Sequence, residues 1–489
     1  MKGFRTNQMI AVDWKPNKQD KTPIYRQIVK YISEKIAAGD WPIGSRLPSQ
    51  RDMAQTFGVN RSTVVSAMEE LISYGILESD FGGGTRVASN TWSIRMSQPP
   101  DWNKHISNGH FRANLSTIQT INKKEFEPGY IRIGTGELAP ELYPGKLVSR
   151  IFGRMPEKIP NLGYLGPLGL PELGQALSAW LKERQGIEAK PSNIMVASGS
   201  LQGLQLISVC MLKKGSRVYT EAPSYVKSLQ IFQSAGMRLS GVPLDDEGIT
   251  YWNMKEADSD SLLYTIPSFH NPTGTVMSEV RRREVMQFCQ GLRMPILEDD
   301  AYGQLWFDEN PPKSLKARDK TGSVIYMGTI SKTMAPGLRI GWVVGPEAVV
   351  YRLGDVKMQT DYGASSVSQW MMTELLTSGD YDIYLETLRR ELKARRDNAL
   401  TALSQYFKGI ATWNKPSGGF YIWLRLHCKV SMDKVFADAL KAGILLNPGN
   451  MYDYGENHAI RLSYAYADPE DLRRALKILA DIIEKHQKR

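Results

Sequence analysis

The chain has 489 residues, 42% hydrophobic and 23% charged, with a net charge of +10. That length exceeds one ordinary domain, so two or three are expected, and the composition is that of folded protein. The three cysteines (Cys210, Cys289, Cys428) include no CxxC, the six histidines form no HExxH pair, and no run approaches ~18 apolar residues. These facts argue against a disulfide framework, a metal site and a membrane span; a soluble cytoplasmic protein is expected. The positive charge suits a polyanion partner without requiring one.

Residues 1–20 are polar and read as loosely held. From Pro23 to Ala38, Ile24, Ile28, Tyr31, Ile32 and Ile36 recur at helical spacing, and Gly39, Pro42 and Gly44 end the helix. A short helix is expected over about 49–57, stopped by Gly58. A third starts at Asn60 and buries Val64, Met68, Leu71 and Ile72. Ile76 to Glu78 and Thr85 to Ala88 can pair as strands around Phe81-Gly82-Gly83-Gly84. Three helices and a hairpin make a winged helix-turn-helix over residues 20–90.

The ordered run Gly44-Ser45-Arg46-Leu47-Pro48-Ser49-Gln50-Arg51-Asp52-Met53-Ala54, followed by Gly58-Val59-Asn60-Arg61-Ser62-Thr63-Val64, resembles the GntR family of winged-helix regulators. The resemblance implies that Arg61, Ser62 and Thr63, at the start of the third helix, face base edges and phosphates, with Arg51 beside them. The wing glycines Gly83 and Gly84 permit close approach to a groove. Val65 stands where some members carry a further Arg, so the base preference stays open.

Residues 91–125, with Pro99, Pro100 and many Asn and Ser, read as a linker; Trp92 and Trp102 suggest that parts of it dock. From 126 to 489, strand-like runs such as Ile194-Met195-Val196, Leu262-Leu263-Tyr264 and Val324-Ile325-Tyr326 alternate with helical stretches. That alternation predicts an α/β body with a mostly parallel sheet.

Several stations stand along this body. Gly163-Tyr164-Leu165-Gly166 precedes Pro171-Glu172-Leu173. Val196-Ala197-Ser198-Gly199-Ser200-Leu201 reads as strand, turn and helix start, with amides that suit a phosphate. Pro223-Ser224-Tyr225, His270-Asn271-Pro272-Thr273-Gly274 and Glu298-Asp299-Asp300-Ala301-Tyr302 follow. Then come Thr329, the run Ser331-Lys332-Thr333 with Arg339, and His458-Ala459-Ile460-Arg461. In this order they resemble fold-type I, class I and II aminotransferases, which implies a smaller C-terminal α+β domain as well.

The resemblance implies pyridoxal 5′-phosphate as a Schiff base on Lys332. Ser200, the Leu201 amide, Thr329, Ser331 and Arg339 would hold its phosphate, and Tyr225 would stack on its ring. Asn271 and Tyr302 would meet its phenolic oxygen. Asp299 would face the pyridine nitrogen, with Asp300 as rival. Tyr164 would reach the neighbouring subunit's cofactor, and Arg461 would clamp an α-carboxylate. Gly174 stands where an Arg often follows Leu173.

The joined architecture resembles MocR-type regulators. It implies a head-to-tail homodimer on double-stranded operator DNA, responding to an amino acid or related amine through an external aldimine at Lys332. A working transaminase, and a direct sensor of pyridoxal phosphate, remain open from the residues alone.

Overall fold

The computed structural model describes residues 10, 12–80, 84–89, 105–106, 108–109, 113–159, 162–225 and 230–487. The chain divides into two compact units, Met1–Gly109 and His110–Arg489. Gly83, Trp92 and Trp102 lie outside the described residues.

In the first unit, α1 spans Ile24–Ala37, α2 Gln50–Phe57 and α3 Arg61–Ser73; β1 (Leu77–Asp80) pairs antiparallel with β2 (Gly84–Val87). Ile28 and Ile32 of α1 are buried against Val64, Met68 and Leu71 of α3, the faces the spacing marked as apolar. Ser49 caps α2, its side chain accepting from Asp52 N at 3.2 Å, and Gly58 ends it at φ 66°. Asn60 occupies the cap position of α3 without a side-chain cap bond. Of the segment expected to be loose, the described part packs on the unit, with Ile10, Val12 and Trp14 against its core. Trp14 stacks on Tyr31 with centroids 4.5 Å apart and meets Phe57 edge-on.

The second unit holds an eight-stranded sheet in the order β4-β11-β10-β9-β8-β5-β6-β7. Its strands are β4 Ile194–Ala197, β5 Arg217–Ala222, β6 Arg238–Asp245, β7 Gly248–Ile249, β8 Leu262–Thr265, β9 Ile296–Asp300, β10 Val324–Thr329 and β11 Gly341–Val344. The run from β10 through β9, β8 and β5 to β6 is parallel. By contrast, β11 is antiparallel to β10 and β4, and β7 to β6. Strands β4, β8, β10 and β11 are buried throughout because helices cover both faces. Ile194, Val196, Tyr326 and Trp342 join one core with Trp180 and Met371. Their neighbours Met195, Ala197, Ile325 and Val343 join another with Leu204 and Leu353.

A smaller antiparallel sheet has the order β12-β13-β16-β15: β12 Ala411–Trp413, β13 Tyr421–Leu426, β15 Asn447–Pro448 and β16 Ala459–Ser463. The short strand β3 (Ile131–Arg132) pairs with β14 (Ile444–Leu445) and brings residues 133–136 beside it. Part of the expected linker has another form. Residues Ser116–Lys124 are a helix of the second unit, with Ile118 and Ile121 buried in its core.

Candidate functional site

The expected stations of the second unit follow the carboxyl ends of the sheet strands, where open α/β sheets place their ligands. Ser200 follows β4, Tyr225 follows β5, Asn271 follows β8 and Lys332 follows β10. Tyr225, Asn271, Tyr302, Lys332 and Arg461 line one cavity of about 490 Å³.

Strand β9 runs further than its apolar residues suggested, through Asp300, so its three carboxylates alternate in direction. Glu298 accepts from Leu315 N and Lys316 N, each at 2.8 Å. Asp300 accepts from Tyr326 Oη at 2.9 Å and from Gly303 N at 3.0 Å. Both are thereby tied into the framework. Asp299 faces the other way. Its Oδ2 accepts the Tyr264 hydroxyl at 2.7 Å, and its Oδ1 is buried with no partner. Burial raises its pKa to about 6, against the lowering pull of Tyr264 and Lys332.

Arg461 is carried by β16 opposite Trp423 of β13 and is only 5% exposed. It donates to Asn271 Oδ1 at 2.9 Å and to the Gly134 carbonyl at 2.7 Å. Its guanidinium carbon lies 4.2 Å from the Tyr421 ring centroid and 4.8 Å from that of Tyr452, and its Nε has no partner. Because Asn271 Oδ1 accepts from Arg461, the amide nitrogen of Asn271 is the end left to donate. Lys332 Nζ donates to the Gly136 carbonyl at 2.7 Å. The Tyr302 and Tyr421 hydroxyls lie 2.9 Å apart. Gly136 is required by this packing, since a Cβ there would fall 2.5 Å from Tyr421 Oη.

The turn after β4 forms a cup. Gly199 sits at φ 83°, and a Cβ on it would fall 2.6 Å from Arg339 Nη2. Arg339, itself at φ 53°, donates to the Ser198 carbonyl at 2.8 Å. The Thr329 and Ser331 hydroxyls are 3.0 Å apart, and Ser331 N donates to Thr329 Oγ1 at 3.1 Å. Ser200 and Leu201 open the helix Ser200–Cys210, whose first-turn amides have no intrahelical acceptors. The arrangement offers backbone donors, hydroxyls and a guanidinium at one spot, a donor set for a phosphate.

Tyr164 stands apart from the cavity wall. Tyr164 is 86% exposed, with its ring centroid 5.0 Å from that of Tyr362. Leu201 lines the cavity but is half out in solvent. In the first unit, Arg61 and Ser62 are exposed at the start of α3, Thr63 is half-buried there, and Arg51 is exposed on α2. Gly84 sits at φ 81° beside the Arg46 side chain. Among the described residues there is no cluster of potential metal ligands, and no helix is long and apolar enough to cross a membrane.

Residues 153–479 match the model of the aminotransferase class I and II family. The chain belongs to that family. Residues 24–87 match the gntR family of bacterial regulatory proteins, so this member carries a GntR-type helix-turn-helix ahead of its aminotransferase domain. The chain is 48% identical over 477 residues to YisV of Bacillus subtilis, described as an uncharacterized HTH-type transcriptional regulator, with 97% of this chain and 98% of that one covered. It is 32% identical to the HTH-type transcriptional regulator NorG of Staphylococcus aureus, over 90% of this chain and 100% of that one. Among solved structures, a Pyrococcus horikoshii kynurenine aminotransferase in complex with PMP superposes with a TM-score of 0.74 at 31% identity. That match covers 79% of this chain and 98% of that one.

In this family member, several residues at the site carried no sequence signal. Tyr264 lies inside a wholly buried strand and reads as core. Tyr421 and Tyr452 read as ordinary aromatics, yet they sandwich Arg461. Glu221 is the penultimate residue of β5. It is buried, takes Ile266 N at 3.0 Å and the Thr265 hydroxyl, and lies 3.8 Å from His270 Nε2. Burial raises Glu221 to about 7 and lowers His270 to about 3.

Proposed function

We propose that this protein is a MocR-type, DNA-binding transcriptional regulator that holds pyridoxal phosphate at Lys332 and responds to an amino acid or related amine. The observation that carries this reading is the single cavity holding Lys332, Asn271 and Arg461 in a chain that also has a GntR-type domain. The cofactor fits the residues present. Asp299 Oδ1 and Arg461 Nε are buried polar atoms without partners, and the Gly199 turn leaves a cradle that a Cβ would fill.

Bound there, pyridoxal phosphate supplies an aldehyde that condenses with primary amines and a ring that withdraws electrons. The chain's own residues do the rest. Lys332 supplies the amine that holds the group and, when displaced, a base able to move a proton. Ser200, Thr329, Ser331, Arg339 and the Leu201 amide would hold the phosphate. Tyr225 would cover the ring, Asn271 and Tyr302 would donate toward its phenolic oxygen, and Asp299 would hold the ring-nitrogen proton. Arg461 orients the effector's carboxylate, already desolvated and aligned by Tyr421 and Tyr452.

On the DNA side, Arg51, Arg61, Ser62, Thr63 and the wing glycines Gly83 and Gly84 would meet operator DNA as a homodimer on paired half-sites. Exposed Tyr164 is the residue that would reach the neighbour's cavity in a head-to-tail pair. A DNA partner and this cofactor both suit a cytoplasmic protein. A response requires that the effector bind two states of the protein unequally.

A second reading, a working transaminase, is favoured by one observation: every residue expected of the chemistry near Lys332 is present. An absorbance series on cofactor-loaded protein, titrated with amino acids and assayed for 2-oxo acid, separates the two. A band that shifts and persists supports a regulator. Oxo-acid release supports the transaminase. Absence of a borohydride-stable adduct on Lys332 would overturn both.

A further inference from the structure

Helix Ser116–Lys124 follows the boundary between the two units and forms one wall of the Lys332 cavity. Asn114, Ile118, Ile121, Asn122 and Glu125 all line it, and Glu137, from the loop after β3, joins them. The Thr135 hydroxyl donates to Glu125 Oε1 at 2.7 Å, which fixes that carboxylate at the wall. The charged residues lining the cavity are therefore two cations, Lys332 and Arg461, and two carboxylates, Glu125 and Glu137. Arg132 lies near both glutamates but does not line the cavity. It donates to the main-chain carbonyl of Glu125 at 2.8 Å and stacks 3.7 Å above Tyr466.

We infer that this wall is the side-chain subsite of the effector. It favours α-amino acids whose side chain ends in a hydrogen-bond donor, an amide or an ammonium, over those ending in a carboxylate. The inference rests on the reading above, in which Lys332 and Arg461 serve the amine and carboxylate ends of the ligand. Both cations are then engaged, and what faces the side chain is two carboxylates, two asparagines and two isoleucines. A second ligand carboxylate would meet like charge with no further cation on the cavity lining, an arrangement that costs binding. A donor end finds acceptors instead. The isoleucines accommodate a methylene stem and set its length.

The test uses full-length protein loaded with pyridoxal phosphate. Glutamine, lysine, glutamate and aspartate are titrated by absorbance and by calorimetry, and a sample without amino acid is treated with borohydride to score an adduct on Lys332. Glutamine and lysine should bind about tenfold or more tightly than glutamate, since like-charge juxtaposition is strongly disfavoured. Glu125→Gln and Glu137→Gln should shrink that ratio. Asn122→Lys, at an exposed helix position that tolerates lysine, should raise glutamate binding relative to glutamine. Glutamate binding as tightly as glutamine in the unaltered protein, or an Asn122→Lys protein with an unchanged ranking, would overturn the subsite while the Lys332 adduct stands. Absence of the adduct in the unaltered protein before any amino acid is added would overturn the underlying reading together with the subsite.

Discussion

Tyr264 donates its hydroxyl to Asp299 Oδ2 at 2.7 Å, while Oδ1 of the same carboxylate is buried with no partner. One oxygen is anchored to strand β8 and the other is left for a ligand. Of the influences on Asp299, the Tyr264 bond is the largest that lowers its pKa. Tyr264→Phe should therefore push Asp299 above about 6 and leave more of it protonated at neutral pH. A protonated Asp299 cannot pair with a pyridinium. Cofactor affinity should fall about tenfold, the order of one hydrogen bond to a charged group. The loss should be greater at pH 6 than at pH 8. Absorbance titration at both pH values checks this, and unchanged affinity at pH 6 would contradict it.

Arg461 should matter for the effector and little for the cofactor. Arg461→Met keeps an apolar filler between Tyr421 and Tyr452 but removes the guanidinium. Amino-acid affinity should fall roughly ten- to hundred-fold, the range for charge-assisted hydrogen bonds. The borohydride adduct on Lys332 should form as before. Equal losses of both would mean that Arg461 supports the fold, through Asn271 and Gly134, rather than the ligand.

Glu221 gives a pH signature. Its folded pKa is raised from 4.5 to about 7 by burial, so between those values the folded state holds a proton that the unfolded state has released. Its contribution to stability is fully present below the unfolded pKa and is lost as pH rises through about 7. His270, lowered to about 3, acts oppositely, losing stability as pH falls below the usual histidine range. Glu221→Gln removes only the first effect. Melting of the cofactor-free protein should show the variant gaining on the unaltered chain from pH 5 to pH 8. A pH-independent difference would show that Glu221 is ionised throughout.

The gathering of Lys332, Asn271 and Tyr225 in one cavity was legible because each follows a strand end in a fixed order, while Arg461 joins them from inside strand β16. The winged unit was legible because glycines and Pro48 punctuate three clearly periodic helices. Other features were hidden for physical reasons. Continuous burial of β10 and β11 erases the alternation that could have marked their direction, so the reversed strand does not show in the residues. Asp299 and Asp300 are equivalent as letters. Only the extension of β9 through Asp300, and the pleat it imposes, turns them to opposite faces. The helix Ser116–Lys124 carries two buried isoleucines among polar residues, too few to stand out from a linker.

In the first unit, Arg61 is exposed at the start of α3. Arg61→Ala should leave thermal stability within about 0.5 kcal/mol, as for surface substitutions generally. Affinity for DNA should fall. If Arg61 meets a phosphate, the salt slope should drop by about 1 and all sequences weaken alike; if it meets a base, one position of the site should relax. DNA affinity unchanged at several salt concentrations would remove Arg61 from the interface.

The most direct test of the account couples its two halves. DNA sites are selected from a random pool by cofactor-loaded, full-length protein. Their affinity is then measured with and without a binding amino acid, for the unaltered chain and for Lys332→Ala. The account predicts that the amino acid shifts affinity for the selected DNA in the unaltered chain and has no effect in Lys332→Ala. DNA affinity indifferent to the amino acid, with steady release of 2-oxo acid, would contradict it and leave an aminotransferase that happens to carry a DNA-binding domain.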